Sequence, residues 1–305
     1  MHYQWNIIGH QKQLAEIEHD LATHSMGHAY ILSGPGSIGK FTIAKQFACM
    51  LQCPNGFCMN CPTCLQVNKG AHLDTIEIND DGESIKIEQT RDIIGRLNMT
   101  GQGAYKILLI KNMDRLTPEA ANSLLKILEE PPPQTIFIFT TQNPQEILPT
   151  IRSRMRIIKF TPVPEKILSE TLHGQFPEIE KNLLQEIILL SLGKPGRALQ
   201  LIQNHEKLLF FRELYQTVRN MCEGESVAER FITAESLVEE TPVLRAFLDM
   251  MSYYIRHKLL TNPETGEKLI PLLESIQETQ YLLKRNINAK LLIENLILKL
   301  HPHHV

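Results

Sequence analysis

The stretch HAYILSGPGSIGKF, residues 28–41, constrains the fold more than any other part of the chain. Residues 28–34 form an apolar run that ends in glycine and reads as a buried strand, and from Phe41 to Leu51 the apolar positions take helical spacing. Strand, glycine-rich turn and helix in that order are the setting of a phosphate-binding loop. Gly34, Gly36 and Gly39 let backbone N–H groups face phosphate oxygens, and Lys40 supplies a cation. The pattern G-x-x-x-x-G-K-[ST] also needs a hydroxyl after the lysine, to ligate the Mg²⁺ that bridges the phosphates. Phe41 stands there instead, with Thr42 one position late. A plain glycine-rich turn is the bland alternative. The whole pattern favours descent from a nucleotide-binding fold, and leaves open whether binding survives.

A working ATPase also needs an acidic strand end: an Asp to hold Mg²⁺ and, in many cases, a Glu to activate the attacking water. The strand that should carry them is KILLI, residues 106–110, and it runs into Lys111-Asn112. Asp114 comes too late to sit at the strand end. A lysine at the Mg²⁺ position has the wrong sign. Loss of both acids, added to Phe41, argues against hydrolysis.

Six cysteines are present, and five fall between Cys49 and Cys64. In CPNGFCMNCPTC, Cys53, Cys58, Cys61 and Cys64 are spaced C-x4-C-x2-C-x2-C, with Pro54, Gly56 and Pro62 to form the turns. Four thiolates so close in sequence can surround one tetrahedral Zn²⁺. A set of buried or redox-active thiols is the alternative. With four protein ligands and no open position, the zinc is expected to be structural. Cys49 and Cys222 read as ordinary buried residues.

Further strand-like runs at 75–78, 106–110 and 135–140 alternate with helical stretches, which predicts a parallel sheet covered by helices on both faces. TPEAANSLLKILEE, residues 117–130, is the best-defined helix. Thr117 can cap it, Pro118 suits its first turn, and Ala121, Leu124, Leu125 and Leu128 share a face. Pro131, Pro132 and Pro133 stop it. Beyond Pro162 and Pro164 the pattern becomes all-helical, with breaks at 176–177, 193–196, 223–225 and 262–266. A length of 305 residues suggests two or three domains. Apolar residues at 43% and charged ones at 21% are ordinary for a soluble protein. No apolar run approaches the ~18 residues of a membrane span. The N-terminus lacks the basic-then-apolar order of a secretory signal, so a cytoplasmic location is expected. A net charge of −3 argues against a free-standing DNA binder, though not against DNA contact shared with other subunits. His301, His303 and His304 resemble a metal patch but read more simply as an unrestrained chain end.

After the strand TIFIFTT comes LPTIRSRM, residues 148–155, whose Ser153-Arg154 is either a solvated turn or a finger reaching a neighbour's nucleotide. Taken together, HAYILSGPGSIGK, the cysteine module, YKILLIKNMDRLTPEAANSLLKILEEPPPQTIFIFTT and LPTIRSRM resemble the bacterial DNA polymerase III clamp-loader family, from about Ile8 to Pro162. The resemblance implies an α/β AAA+-type parallel-sheet core with an inserted zinc module (1–162), a helical lid (163–205) and an all-α C-terminal collar (206–305). It implies a hetero-oligomeric, pentameric ring of gamma/tau, delta and delta prime subunits that opens a sliding clamp and places it on primed DNA. Motor members of the family keep Lys-Thr or Lys-Ser in the loop and Asp-Glu at the second strand, whereas this chain has Lys40-Phe41 and Lys111-Asn112. The family's lid carries an ATP-sensing arginine in Gly-x-x-Arg-x-Ala; GKPGRAL puts Gly196 in that place, with Arg197 one residue late. These departures side with the non-hydrolysing delta prime branch, for which ATP binding is doubtful and Arg154, with Ser153, serves an adjacent motor subunit. Met155 replaces the cysteine that commonly follows Ser-Arg. The rival readings are an atypical gamma/tau-like motor ATPase, with Thr42 or Asp114 standing in, and a zinc-containing AAA+-like binding module outside replication.

Overall fold

The computed structural model describes residues 3–300 except 24, 80, 102, 225, 263, 265, 284 and 286. Five parallel strands, β1 (Ala29–Ser33), β2 (Thr75–Ile78), β3 (Lys106–Ile110), β4 (Thr135–Thr141) and β5 (Arg156–Lys159), form one sheet in the order β2-β3-β4-β1-β5. Helices α1 (Gln11–Ala22), α2 (Lys40–Gln52), α3 (Pro62–Lys69), α4 (Ile87–Leu97), α5 (Pro118–Glu129) and α6 (Pro149–Arg152) accompany it. Side chains alternate across each strand, so neighbouring residues join different cores. Tyr30 and Leu32 pack with Ile17 of α1, Ile43 and Phe47 of α2 and Val67 of α3. Ala29 and Ile31 pack on the other face with Ile93 of α4 and Leu124 and Leu128 of α5. Each fully buried aliphatic side chain contributes about 1.5–3 kcal/mol relative to exposure, and both faces must be covered because the strands are apolar on both.

The helix α5 begins where Thr117 Oγ1 accepts a hydrogen bond from the Ala120 N–H at 3.2 Å. Its buried stripe is Ala120, Ala121, Leu124, Ile127 and Leu128, while Leu125 is only half-buried beside it. The fifth strand, β5, was not legible in the sequence. It is a short edge strand in which only Ile158 is buried, so it carries almost no apolar pattern. Its place is fixed by pairing with β1 and by an ion pair from Arg156 to the buried Asp20 of α1, which Tyr30 Oη also reaches at 3.0 Å.

Among the described residues eight helices follow: α7 (Glu165–Gln175), α8 (Lys181–Ser191), α9 (Pro195–Gln203), α10 (His205–Glu223), α11 (Val227–Val238), α12 (Thr241–Thr261), α13 (Gly266–Leu283) and α14 (Ala289–Lys299). The chain divides into two compact units, Met1–Leu184 with Gly193–Arg197, and Gln185–Leu192 with Ala198–Val305. Within the second, Arg212 grips Glu186 with two hydrogen bonds of 2.5 and 2.7 Å. Glu223 accepts from Arg219, Lys258 and Tyr254, and these donors, Lys258 and Tyr254 foremost, bring its carboxyl down to about 2. Among the described residues no helix is long and apolar enough to cross a membrane. His301, His303 and His304 lie outside the described residues.

Candidate functional site

The register sets Ser33 level with Thr141 of β4 and Lys159 of β5, so the glycine-rich loop leaves the carboxyl edge of the sheet between its neighbours' ends. This is the crevice where open α/β sheets place ligands. Gly34 has φ +146°, and a Cβ there would lie 2.3 Å from the Phe160 carbonyl oxygen, so only glycine fits. Gly39, at φ +96°, starts α2. Gly36 faces Gln142, whose nearest atom would stand 3.7 Å from an added Cβ, so its neighbours do not demand glycine.

Lys40 turns back into its own loop. Its buried Nζ donates to the carbonyl oxygens of Gly34 and Pro35, each at 2.6 Å. Burial brings the ammonium down to about 8, with nearby Lys194 pushing the same way and Asp114 opposing. Gly196, where the arginine sensor is expected, lies against the loop by its backbone: its N–H donates to Ser37 O at 2.8 Å. A Cβ at 196 would sit 2.8 Å from that same oxygen, so a side chain there requires the loop to move.

Phe41 and Lys111, the two replacements at the metal position, meet each other. Lys111 Nζ lies 5.8 Å from the Phe41 ring centroid, and Lys45 Nζ lies 5.5 Å from it. Lys45 also pairs with the buried Glu77 of β2 at 3.0 Å and donates to Asn68 O of α3 at 2.9 Å. Thr42 is exposed, about 100° round the helix from Phe41. Asp114 accepts hydrogen bonds from Thr141 Oγ1 and, at 3.0 Å, from Gln142 N. Its carboxylate therefore ties the end of β3's connection to the end of β4. Asn112 sits in the left-handed region with φ +56°, its N–H bonded to Thr140 Oγ1 at 2.9 Å.

The structure gathers Cys53, Cys58, Cys61 and Cys64, their four Sγ atoms lying within 4.8 Å of one another. Cys53 Sγ is 3.6 Å from Cys58 Sγ and 3.8 Å from Cys61 Sγ. A tetrahedron of Zn–S bonds near 2.3 Å has S···S edges of about 3.8 Å. Burial pushes the Cys53 thiol up, but the N–H groups of Cys58, Asn55 and Phe57 and the Cys64 thiol outweigh it and bring it down to about 6. The N–H groups of Asn60 and Cys61 likewise lower Cys58. Cys61 Sγ accepts from the Cys64 N–H at 3.4 Å and so caps α3. Burial, with the Cys53 and Cys61 sulfurs beside it, pushes the Cys64 thiol the other way, as for a proton shared among sulfurs that a metal would displace. Four sulfurs at this spacing could hold one metal ion and fit zinc. Cys49 and Cys222 are buried, and burial raises the Cys49 thiol to about 11.

Arg154 follows α6. Its guanidinium pairs with Glu129 of α5 at 2.5 Å and donates to Thr150 O at 2.7 Å and Ser153 Oγ at 3.4 Å. Ser153 is exposed, and its hydroxyl donates to Thr150 O at 3.1 Å. Both partners of the ion pair remain partly exposed. Sequence reasoning missed Lys45, Glu77 and Glu129. For Lys45 a signal was available, since it stands one helical turn beyond Phe41.

A parallel sheet with β1 inside it, a phosphate-type loop at its carboxyl edge and a helical continuation define an AAA+-type core with a four-cysteine cluster inserted after α2. The chain belongs to the family described as DNA polymerase III, delta subunit, whose model matches residues 9–164. It is 35% identical to the DNA polymerase III subunit delta' of Pseudomonas aeruginosa over 57% of this chain and 55% of that one. Against the subunit delta' of Bacillus subtilis it is 35% identical over 49% of this chain and 47% of that one. The chain thus spans about half the length of the curated relatives it matches. In structure it is similar to a gamma subunit-related protein of Thermotoga maritima, with TM-score 0.52 over 94% of this chain and 99% of that one. At 18% identity that likeness speaks for the fold alone.

Proposed function

We propose that this chain is a clamp-loader subunit of the delta prime type, which does not hydrolyse ATP and acts by completing a neighbour's site. The observation that carries this is the contact between Phe41 and Lys111. A hydrolytic site holds Mg²⁺ between a hydroxyl and a carboxylate; here an ammonium and an aromatic ring take those positions. The motor-ATPase alternative is disfavoured because Thr42 is exposed and Asp114 is bonded to Thr141 and Gln142. Lys40 bonds its own loop carbonyls and Gly196 its backbone neighbour, which favours a loop closed on itself over one holding phosphates. On this reading Gly34, Gly39 and Lys40 keep the shape of the core, and Gly36 is a remnant of the phosphate loop.

Arg154, with Ser153 beside it, is the group lent in trans. The Glu129 pair that holds it is partly exposed, and such pairs contribute about 0–1 kcal/mol. A phosphate oxygen on an adjacent subunit can therefore replace Glu129 at little cost. The partners on this reading are gamma/tau and delta subunits in a cytoplasmic pentameric ring that places a sliding clamp on primed DNA. Residues 1–162 act as the AAA+-type core, 163–205 as the lid and 206–305 as the collar. Cys53, Cys58, Cys61 and Cys64 hold one structural zinc. A module acting outside replication would not co-purify with clamp-loader subunits, so a pull-down read by mass spectrometry separates the two. The direct test is ATP turnover by the purified chain. Background rates are expected, and turnover free of contaminating motor subunit would sink the reading.

A further inference from the structure

The cysteine cluster is joined to the N-terminal segment by an aromatic side chain, Phe57. Phe57 lies between Cys53 and Cys58–Cys61 and has φ +76°, a left-handed conformation that bulky residues avoid. Gly56 and Met59 beside it also have positive φ, at +64° and +60°. Gly56 N donates to Cys53 O at 3.2 Å and Cys53 Sγ lies 3.6 Å from Cys58 Sγ, so the turn that brings these sulfurs together also carries the Phe57 ring. That ring is buried and packs edge-on to Tyr3, with centroids 6.0 Å apart and planes at 78°, and against Trp5 at 5.9 Å. Tyr3 and Trp5 are tied down on their other side by α1: Trp5 Nε1 donates to Glu18 Oε1 at 2.9 Å and Tyr3 N to the same oxygen at 3.3 Å. Asn6 N then reaches Gln46 Oε1 of α2 at 3.2 Å.

We infer that Phe57 is a wedge through which metal occupancy of the cysteine cluster seats the segment from Tyr3 to Asn6 on α1 and α2. The inference rests on the reading that the cluster holds zinc. An ion drawing in four thiolates keeps the loop in its strained left-handed turns. Without the ion the loop relaxes, the ring withdraws, and Tyr3 and Trp5 lose one wall of their site. The consequence reaches the phosphate-type loop, because the segment continues through Gly9 to His10. The buried His10 ring contacts Ile38 O at 3.2 Å and packs on Phe160 at 5.1 Å.

Trp5 is the single tryptophan of the chain, so its fluorescence reports this site alone. The full chain is first assayed for zinc, then compared before and after removal of the metal by a chelator under reducing conditions. Removal is expected to shift Trp5 emission to the red and raise its quenching by acrylamide, while far-ultraviolet circular dichroism stays largely intact. Phe57→Gly tolerates the left-handed backbone but lacks the ring. It should still bind about one zinc per chain, yet show red-shifted emission with zinc present and no further change on removal. Wild-type emission that ignores zinc removal would overturn the coupling while leaving the metal site intact. A shift that arrives with general loss of helical signal, or a glycine variant that responds as the wild type does, would overturn it too. Absence of bound metal in the purified chain would overturn both the site and the coupling.

Discussion

A benzene ring and an ammonium within about 6 Å attract through the ring's quadrupole, worth about 0.5–1 kcal/mol at exposed sites. Phe41 faces two such cations, Lys45 and Lys111. Restoring the hydroxyl alone, Phe41→Thr, should therefore leave ATPase at background, because Lys111 still repels the metal and Asn112 offers no base; steady-state phosphate release checks this. Lys40 allows a prediction with a defined sign. Its folded value is about 8 against an ordinary 10.5. Between these values the unfolded chain holds a proton that the folded chain has shed, so stability rises with pH and the penalty is fully present below about 8. Relative to Lys40→Met, the wild type should gain on the order of 2 kcal/mol between pH 7.5 and 10.5. Parallel urea midpoints for the two proteins across that range would refute it. The degenerate positions were legible in the sequence because each departs from a fixed spacing. The contact between them was not, since residues 41 and 111 meet only once β3 lies two strands from β1 in the sheet.

At the scale of elements, α3 depends on the cluster that closes over its first turn. It has eight residues, and Cys61 Sγ is its cap. Isolated helices of that length are marginal, so Cys61→Ser should abolish binding of the proposed zinc and speed amide exchange through residues 53–69, with β1 and β4 unaffected. Uniform loss of protection across the sheet would show that the module is not local. In α5, Thr117→Ala should cost about 1 kcal/mol, the usual worth of such a cap. Four strands and α5 were legible because each carries its own apolar pattern, and β1 and α5 also stop at Gly34 and Pro131. The edge strand β5 was not, because pairing with β1 and the Arg156–Asp20 ion pair define it rather than any pattern of its own. The cysteine spacing foretold the gathered thiolates; the left-handed Phe57 was hidden, since positive φ in a bulky residue has no sequence signature.

For the whole molecule, the trans role proposed for Arg154 makes a claim about the assembly. A finger arginine can be worth ~10³–10⁵ in rate at its own site. In a ring with several motor subunits only one site would lose its finger, so total ATPase should fall by a smaller factor and clamp loading by more. Arg154→Ala should assemble normally, because its ion pair with Glu129 is partly exposed. Arg154→Lys should fail as well, since an ammonium lacks the planar fork. DNA-stimulated ATPase and clamp loading by the reconstituted ring are the measurements. Rates unchanged by the alanine variant would make Arg154 a turn residue.

The meeting of Phe41 with Lys111 also bears on descent. Restoring an acid at 111 while Phe41 remains would set a carboxylate against the ring's negative face. Restoring a hydroxyl at 41 first would leave Lys111 and Lys45 without the ring they share. If the chain is of the proposed delta prime type, each single reversal thus gives up part of this contact before catalysis could return, and the pair resists stepwise reversal. Lineages carrying both changes should hold them together, and ancestral reconstructions that separate them should yield a less stable core.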